Sequence, residues 1–141
     1  MNCPAVEVLL GDWSEHELID CGNRRKLERF GPCRLVRPEP KAWWQPALPA
    51  TEWDAADAVF DDQGRWRARS GTPREWVMRF GKLAFQARLT DGSKHVGIFP
   101  EQAPHWKWVQ TRARGGAAPA LLNLFGYTGA VSLVAAAAGF E

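Results

Sequence analysis

The first hundred positions alternate between short apolar runs and turn residues, a texture that predicts strands more than helices. Val6–Leu10 is a brief apolar run. Glu17–Asp20 and Arg34–Arg37 flank a basic, turn-rich stretch punctuated by Gly22-Asn23 and Gly31-Pro32. Pro38, Pro40, Pro46 and Pro49 exclude helix or central strand over 38–50, which leaves an extended connector carrying Trp43 and Trp44. A meander follows. Ala58–Phe60 and Arg65–Ala68 are joined through Asp61-Asp62-Gln63-Gly64, a turn sequence. Trp76–Phe80 and Leu83–Leu89 are joined by Gly81-Lys82, a two-residue hairpin signal. Lys94–Phe99 predicts one more strand.

The pattern changes at Pro100, which suits the first position of a helix, with Glu101 favourable near the positive end of the helix dipole. Trp106 and Val109 share a face of it, and Arg112, Arg114, Gly115 and Gly116 are stop signals. After Pro119, Leu121–Phe125 is a near-continuous apolar run, as expected of a strand buried on both faces in a parallel sheet. Gly126-Tyr127-Thr128-Gly129 makes a turn into a helix over Ala130–Ala138. That helix is apolar all round and must be covered on several sides. A parallel strand also needs parallel neighbours, each reached by a crossover of a dozen or more residues. The expectation is therefore that another chain, or further sequence beyond Glu141, covers this unit.

Composition adds limits. The chain has 141 residues, 45% hydrophobic and 24% charged, which is globular and argues against disorder. No apolar run reaches the ~18 residues of a membrane span, and no secretory signal is visible at the N-terminus. Cys3, Cys21 and Cys33 form neither a disulfide framework nor a metal spacing, so a reducing, cytoplasmic setting is expected. The net charge of +2 conceals segregation. Acidic stretches at 1–20 and 52–62 alternate with basic ones at 24–37 and 65–88. Such stretches either pair across a sheet as solvated faces or bind a phosphate backbone; near-neutrality favours pairing. The eight tryptophans are mostly expected as partly buried anchors, with Trp43 and Trp44 the best candidates for a stacking platform.

The segment Leu121-Leu122-Asn123-Leu124-Phe125-Gly126-Tyr127-Thr128-Gly129, running on to Ser132, resembles the first cofactor motif of class I S-adenosylmethionine (SAM)-dependent methyltransferases. The large-subunit ribosomal RNA methyltransferase type is the nearest in pattern. Lys94-His95-Val96-Gly97-Ile98-Phe99-Pro100-Glu101-Gln102 resembles that group's second signature, although Ala103 stands where the group usually has Arg. Residues 20–38 look like the strand-rich front end of one branch. The resemblance implies an α+β chain. A β-rich region over 1–99 and a helix and linker over 100–118 lead to 119–141, the first βα unit of an incomplete Rossmann-like, doubly wound domain. It implies SAM as cofactor and an RNA substrate. Asn123, Phe125, Gly126, Tyr127, Thr128 and Gly129 would line the methionine part of the cofactor, with Lys94, Phe99 and Gln102 flanking it. The residues of methyl transfer would lie beyond Glu141, so no catalytic residue is named.

Other chemistry finds little footing. His95 is a single histidine and reads as structural or surface; no His or Cys pair has metal-ligand spacing; Ser132 sits within a helix and not at a nucleophile elbow. Hydrolase and metalloenzyme readings are rejected. The alternative that stays open is a non-catalytic β-rich binding module, for RNA among other ligands, that docks on a partner through its C-terminal unit.

Overall fold

The computed structural model describes residues 13–113 and 120–141. The chain divides into two compact units, one spanning Trp13–Ile98 and the other built, as far as described, from Phe99 onward.

In the first unit, β1 (His16–Gly22), β2 (Arg25–Phe30), β3 (Cys33–Pro38), β4 (Ala58–Phe60) and β5 (Trp66–Ala68) form one sheet in sequence order. All pairs are antiparallel except β3–β4, where Leu35 meets Ala58 and Val36 meets Val59 in parallel. A parallel pair needs a crossover. The proline-rich connector supplies it, together with α1 (Ala50–Asp54). Leu27, Val36, Trp53 and Ala56 form the core beneath this crossover, joined by Ile19, Leu48 and Val59. The basic stretch expected to be turn-rich contains the whole of β2. Its turns are only two residues long at each end, and Leu27 and Phe30 are fully buried. At the first turn both Asn23 and Arg24 have positive φ, 47° and 59°, the primed geometry that matches strand twist.

A separate hairpin pairs β6 (Glu75–Phe80) with β7 (Leu83–Arg88) through Gly81-Lys82. β6 alternates strictly, burying Trp76, Met78 and Phe80. The strand expected over Lys94–Phe99 does not form. Gly97 has a φ of 95°, outside the extended region, and the segment keeps a backbone bond from Arg88 N–H to the Val96 carbonyl (3.0 Å).

In the second unit, Pro100–Gln102 makes a single 3-10 turn that leads into α2 (Ala103–Arg112). α2 buries Ala103, Trp106 and Val109 on one face, and packs on α3 (Ala130–Ala138), which buries Val134 and Ala135. The strand expected over Leu121–Phe125 is absent as well. No strand pairs with it among the described residues, and a parallel strand cannot satisfy its own backbone groups. Leu121 N–H instead reaches the Glu141 carbonyl at 3.1 Å. Leu122, Leu124 and Phe125 stand 82%, 76% and 93% exposed. The expected strand over Val6–Leu10 and the stop signals at 114–116 lie outside the described residues. No helix among the described residues is long and apolar enough to cross a membrane.

Candidate functional site

A cleft of about 910 Å³ lies in the second unit, within the size range of small-molecule sites. Its floor and rim come from two places in the chain. One is the turn Phe99–Gln102 and the start of α2. The other is the loop Leu121–Thr128 and the first residues of α3. Phe99, Gln102, Asn123, Phe125, Gly126, Tyr127 and Thr128 line it, so seven of the nine residues singled out from sequence come together. The eighth, Gly129, sits between the lining residues Thr128 and Ala130. The ninth, Lys94, belongs to the other unit, where its ammonium donates to the Pro38 carbonyl at 3.1 Å.

The loop is shaped by its glycines. Gly129 takes a left-handed φ of 83°, and a Cβ there would meet nothing within 4 Å, so the backbone borders open space. Its N–H closes a tight turn on the Gly126 carbonyl at 2.6 Å, and its own carbonyl accepts from Leu133 N–H at 2.9 Å. Tyr127 shares the left-handed region (φ 44°), and its ring lies 4.6 Å from that of Phe99. Asn123 Nδ2 donates to Ser132 Oγ at 3.0 Å, tying the loop to α3. No side chain caps the N-terminus of α3. Its leading N–H groups form the electropositive end of the helix, which favours an anionic group.

Two ionisable cleft residues, Glu101 and His105, were not singled out as site residues from the sequence, although Glu101 stands inside the second signature. His105 Nδ1 lies 3.0 Å from Gln102 Oε1. Their i, i+4 spacing along the turn into α2 is the signal that could have found them. Ala103, at the position where the resemblance puts Arg, is buried, and it brings no cation to the cleft.

The first unit holds a different kind of chemistry. Glu28, the lone acid in its basic stretch, is buried together with Arg37. Arg37 donates through Nε (2.8 Å) and Nη2 (2.7 Å) to Glu28 Oε2. His16 Nε2 lies 3.1 Å and Lys26 Nζ 3.5 Å from Oε1. Burial disfavours the carboxylate, but the His16 hydrogen bond, the charges of Arg37 and Lys26 and the Arg37 N–H together outweigh it. The Glu28 carboxyl is held below its ordinary value. Asp20 is similar: burial works against its ionisation, yet N–H groups of Leu48, Ala47, Trp53 and Cys21 hold it below the ordinary carboxylate value. The bonds from Ala47, Leu48 and Trp53, from 2.9 to 3.2 Å, fasten the connector and α1 to β1. Across the sheets, Glu17 meets Arg29 and Glu75 meets Arg88, so much of the segregated charge pairs between strands. Both networks are structural. Among the described residues no three His, Cys, Asp or Glu side chains gather to hold a metal.

No protein-family model and no curated protein matches the chain. Solved structures do. The chain is similar to a SAM-dependent methyltransferase from Agrobacterium tumefaciens, with 45% identity and a TM-score of 0.82, over 90% of this chain and 42% of that one. A protein from Streptococcus mutans described as a SAM-dependent methyltransferase shares the fold at 17% identity and a TM-score of 0.62, over 90% and 37% of the two chains. This chain thus spans less than half the length of either. Its mixed α+β architecture, with a β-rich N-terminal region, accords with these neighbours and with a partial Rossmann-like fold.

Proposed function

We propose that this chain forms the front part of a SAM-dependent methyltransferase that modifies RNA in the cytoplasm. The observation that carries the reading is the cleft at the start of α3, where seven of the residues named from the two motifs meet beside an open backbone turn. The 45% identity to a methyltransferase over 90% of the chain supports it over a stand-alone binding module.

The residues present fit the methionine end of such a cofactor. The uncapped N-terminus of α3 would accept its carboxylate, and Asn123 and Gln102 offer polar side chains beside it. The Phe99–Tyr127 pair would pack against its aliphatic part and exclude water. When bound, SAM supplies a methyl group on a sulfonium, open to in-line attack by a nucleophilic base atom. This chain's own contribution is to bind and orient the cofactor. The exposed Leu122, Leu124 and Phe125 would be covered by further strands of the complete domain or by a partner chain. RNA as substrate rests on the sequence resemblance to ribosomal RNA methyltransferases.

Calorimetric titration of SAM into a methyltransferase-length form, this chain extended by the strands and helices that would complete its own C-terminal domain, tests the reading. Saturable binding is expected, weakened at least roughly tenfold by Gly129→Val, because a β-branched residue at a left-handed φ strains the turn. No binding by the unsubstituted form would overturn it.

A further inference from the structure

The β-rich unit carries a cleft of its own, about 590 Å³ in volume, between the β1–β2 turn, the connector, α1 and β5. Arg25, Arg67 and Arg69 line it, with Asn23, Gln45 and Trp53. Arg25 lies over the Trp53 ring, 5.4 Å from its centroid, and no carboxylate pairs with it among the described residues. Arg69 donates to the Asp54 backbone carbonyl, which leaves its charge unneutralised by that bond. Arg67 holds Asp61 at 2.7 Å and keeps most of its side chain in solvent. The carboxylate among the lining residues is that of Asp54, so the cleft carries a net positive charge.

The connector that borders this cleft presents two tryptophans to water. Trp43 is 74% and Trp44 56% exposed. Both are anchored by their indole N–H, Trp43 to the Pro40 carbonyl and Trp44 to the Cys21 carbonyl, each at 2.8 Å. The segment beneath them is fixed as well. Asn23 N–H donates to the Trp44 carbonyl at 2.8 Å and Arg24 N–H to the Ala42 carbonyl at 2.7 Å. The fit is so close that a Cβ on Gly22 would lie 2.4 Å from Pro46 N. Trp44 directly precedes Gln45 and Pro46, which line the cleft, and its carbonyl holds Asn23, which lines it too. Large exposed rings, held in place next to uncompensated guanidinium groups, supply what a single-stranded polyanion with aromatic bases needs. A duplex, whose base faces are already stacked, would use only the charge.

We propose that this cleft and its Trp43–Trp44 lip bind single-stranded RNA, with the arginines neutralising phosphates and Trp44 stacking on a base. The identity of the ligand as RNA rests on the functional reading above; the existence of a binding face for a single-stranded polyanion rests on these residues alone.

Fluorescence anisotropy of a labelled, mixed-sequence RNA of about 12 nucleotides, titrated with the full 141-residue chain, tests it. Trp44→Ala is expected to weaken binding between about fivefold and a hundredfold, with Trp44→Phe recovering most of the loss. Trp43→Ala is the second variant, because its indole bond lies within the connector and its removal leaves the tie to β1 intact. Arg25→Gln should weaken binding and reduce the slope of log K against log salt by roughly 0.7. The duplex of the same sequence should bind more weakly than the single strand. Variants that all stay within roughly twofold of the parent while the parent binds RNA would overturn this site and leave the functional reading standing. Duplex binding as tight as single-strand binding would overturn the stacking role. A parent that binds no RNA would overturn the proposal, whereas the methyltransferase reading falls only with the separate SAM titration.

Discussion

The two units of this chain treat their apolar surface in opposite ways. Over Trp13–Ile98, strands alternate, the crossover covers Leu27 and Val36, and the one acid of the basic stretch is buried against Arg37. Over Phe99–Glu141, α3 is apolar on nearly every side, yet Val134 and Ala135 are its buried residues, and the loop before it exposes two leucines and a phenylalanine. The first unit buries a core of its own and leaves Trp43 and Trp44, with Leu18 and Val77, as its exposed large apolar side chains. The second arranges a cleft but leaves hydrophobic surface of the kind that another layer of structure normally covers.

The comparison breaks most sharply at Glu28. Replacing Arg37 with Leu leaves a buried carboxylate without its main partner, and should destabilise the β-rich unit by about 3–5 kcal/mol. Denaturant unfolding followed by tryptophan fluorescence would show it, and a change under about 1 kcal/mol would mean that the pair is not buried as described. Leu27→Ala should cost about 2–5 kcal/mol by the same measurement, because Leu27 is fully buried at the centre of the core.

Acid should separate the units by another route. The folded Glu28 carboxyl titrates below its ordinary value of 4.5. Its contribution to stability is therefore fully present above that value and is lost as pH falls through the lower, folded value. Near-UV circular dichroism of the tryptophans should hold down to that range and then decline. Glu28→Gln should move the decline or remove its steepest part; an unchanged acid profile would contradict the linkage.

The exposed loop should respond in the opposite sense. Leu124→Ser and Phe125→Ser are expected to change stability by less than about 0.5 kcal/mol, while lowering self-association and dye binding to hydrophobic surface. A large destabilisation would show that these side chains are packed. The smallest effect concerns thiols. Burial, reinforced by the Asp57 charge, pushes the Cys33 thiol up to about 11, so it should alkylate more slowly than Cys21 at neutral pH.

How legible each region was follows from how local its determinants are. β6 and β7 could be read directly, because Glu75–Phe80 alternates strictly and Gly81-Lys82 is a local turn signal. β2 was obscured by its charge, since neither the burial of Glu28 nor its partners on β1 and β3 can be inferred from neighbours in sequence. Leu121–Phe125 carries strand composition, but a strand is a property of a pair, and no strand among the described residues pairs with it. In the candidate site the glycine turn and its aromatics were legible as a motif. His105 lay outside both motifs, and Glu101, though inside the second, was not named for the site, because their place in the cleft depends on how α2 packs on α3. Lys94 was drawn in by the motif alone, and its ammonium is engaged by the Pro38 carbonyl within the first unit.

The central claim is that the cleft of the second unit is a SAM site. Amide-resolved NMR of the labelled chain, titrated with SAM into the millimolar range, addresses it directly even if this portion binds weakly. The account predicts saturable shifts concentrated at Gly126–Gly129, the first residues of α3 and Phe99–Gln102, with the β-rich unit unmoved. An absence of shifts at those positions, or shifts confined to the strands of Trp13–Ile98, would contradict it.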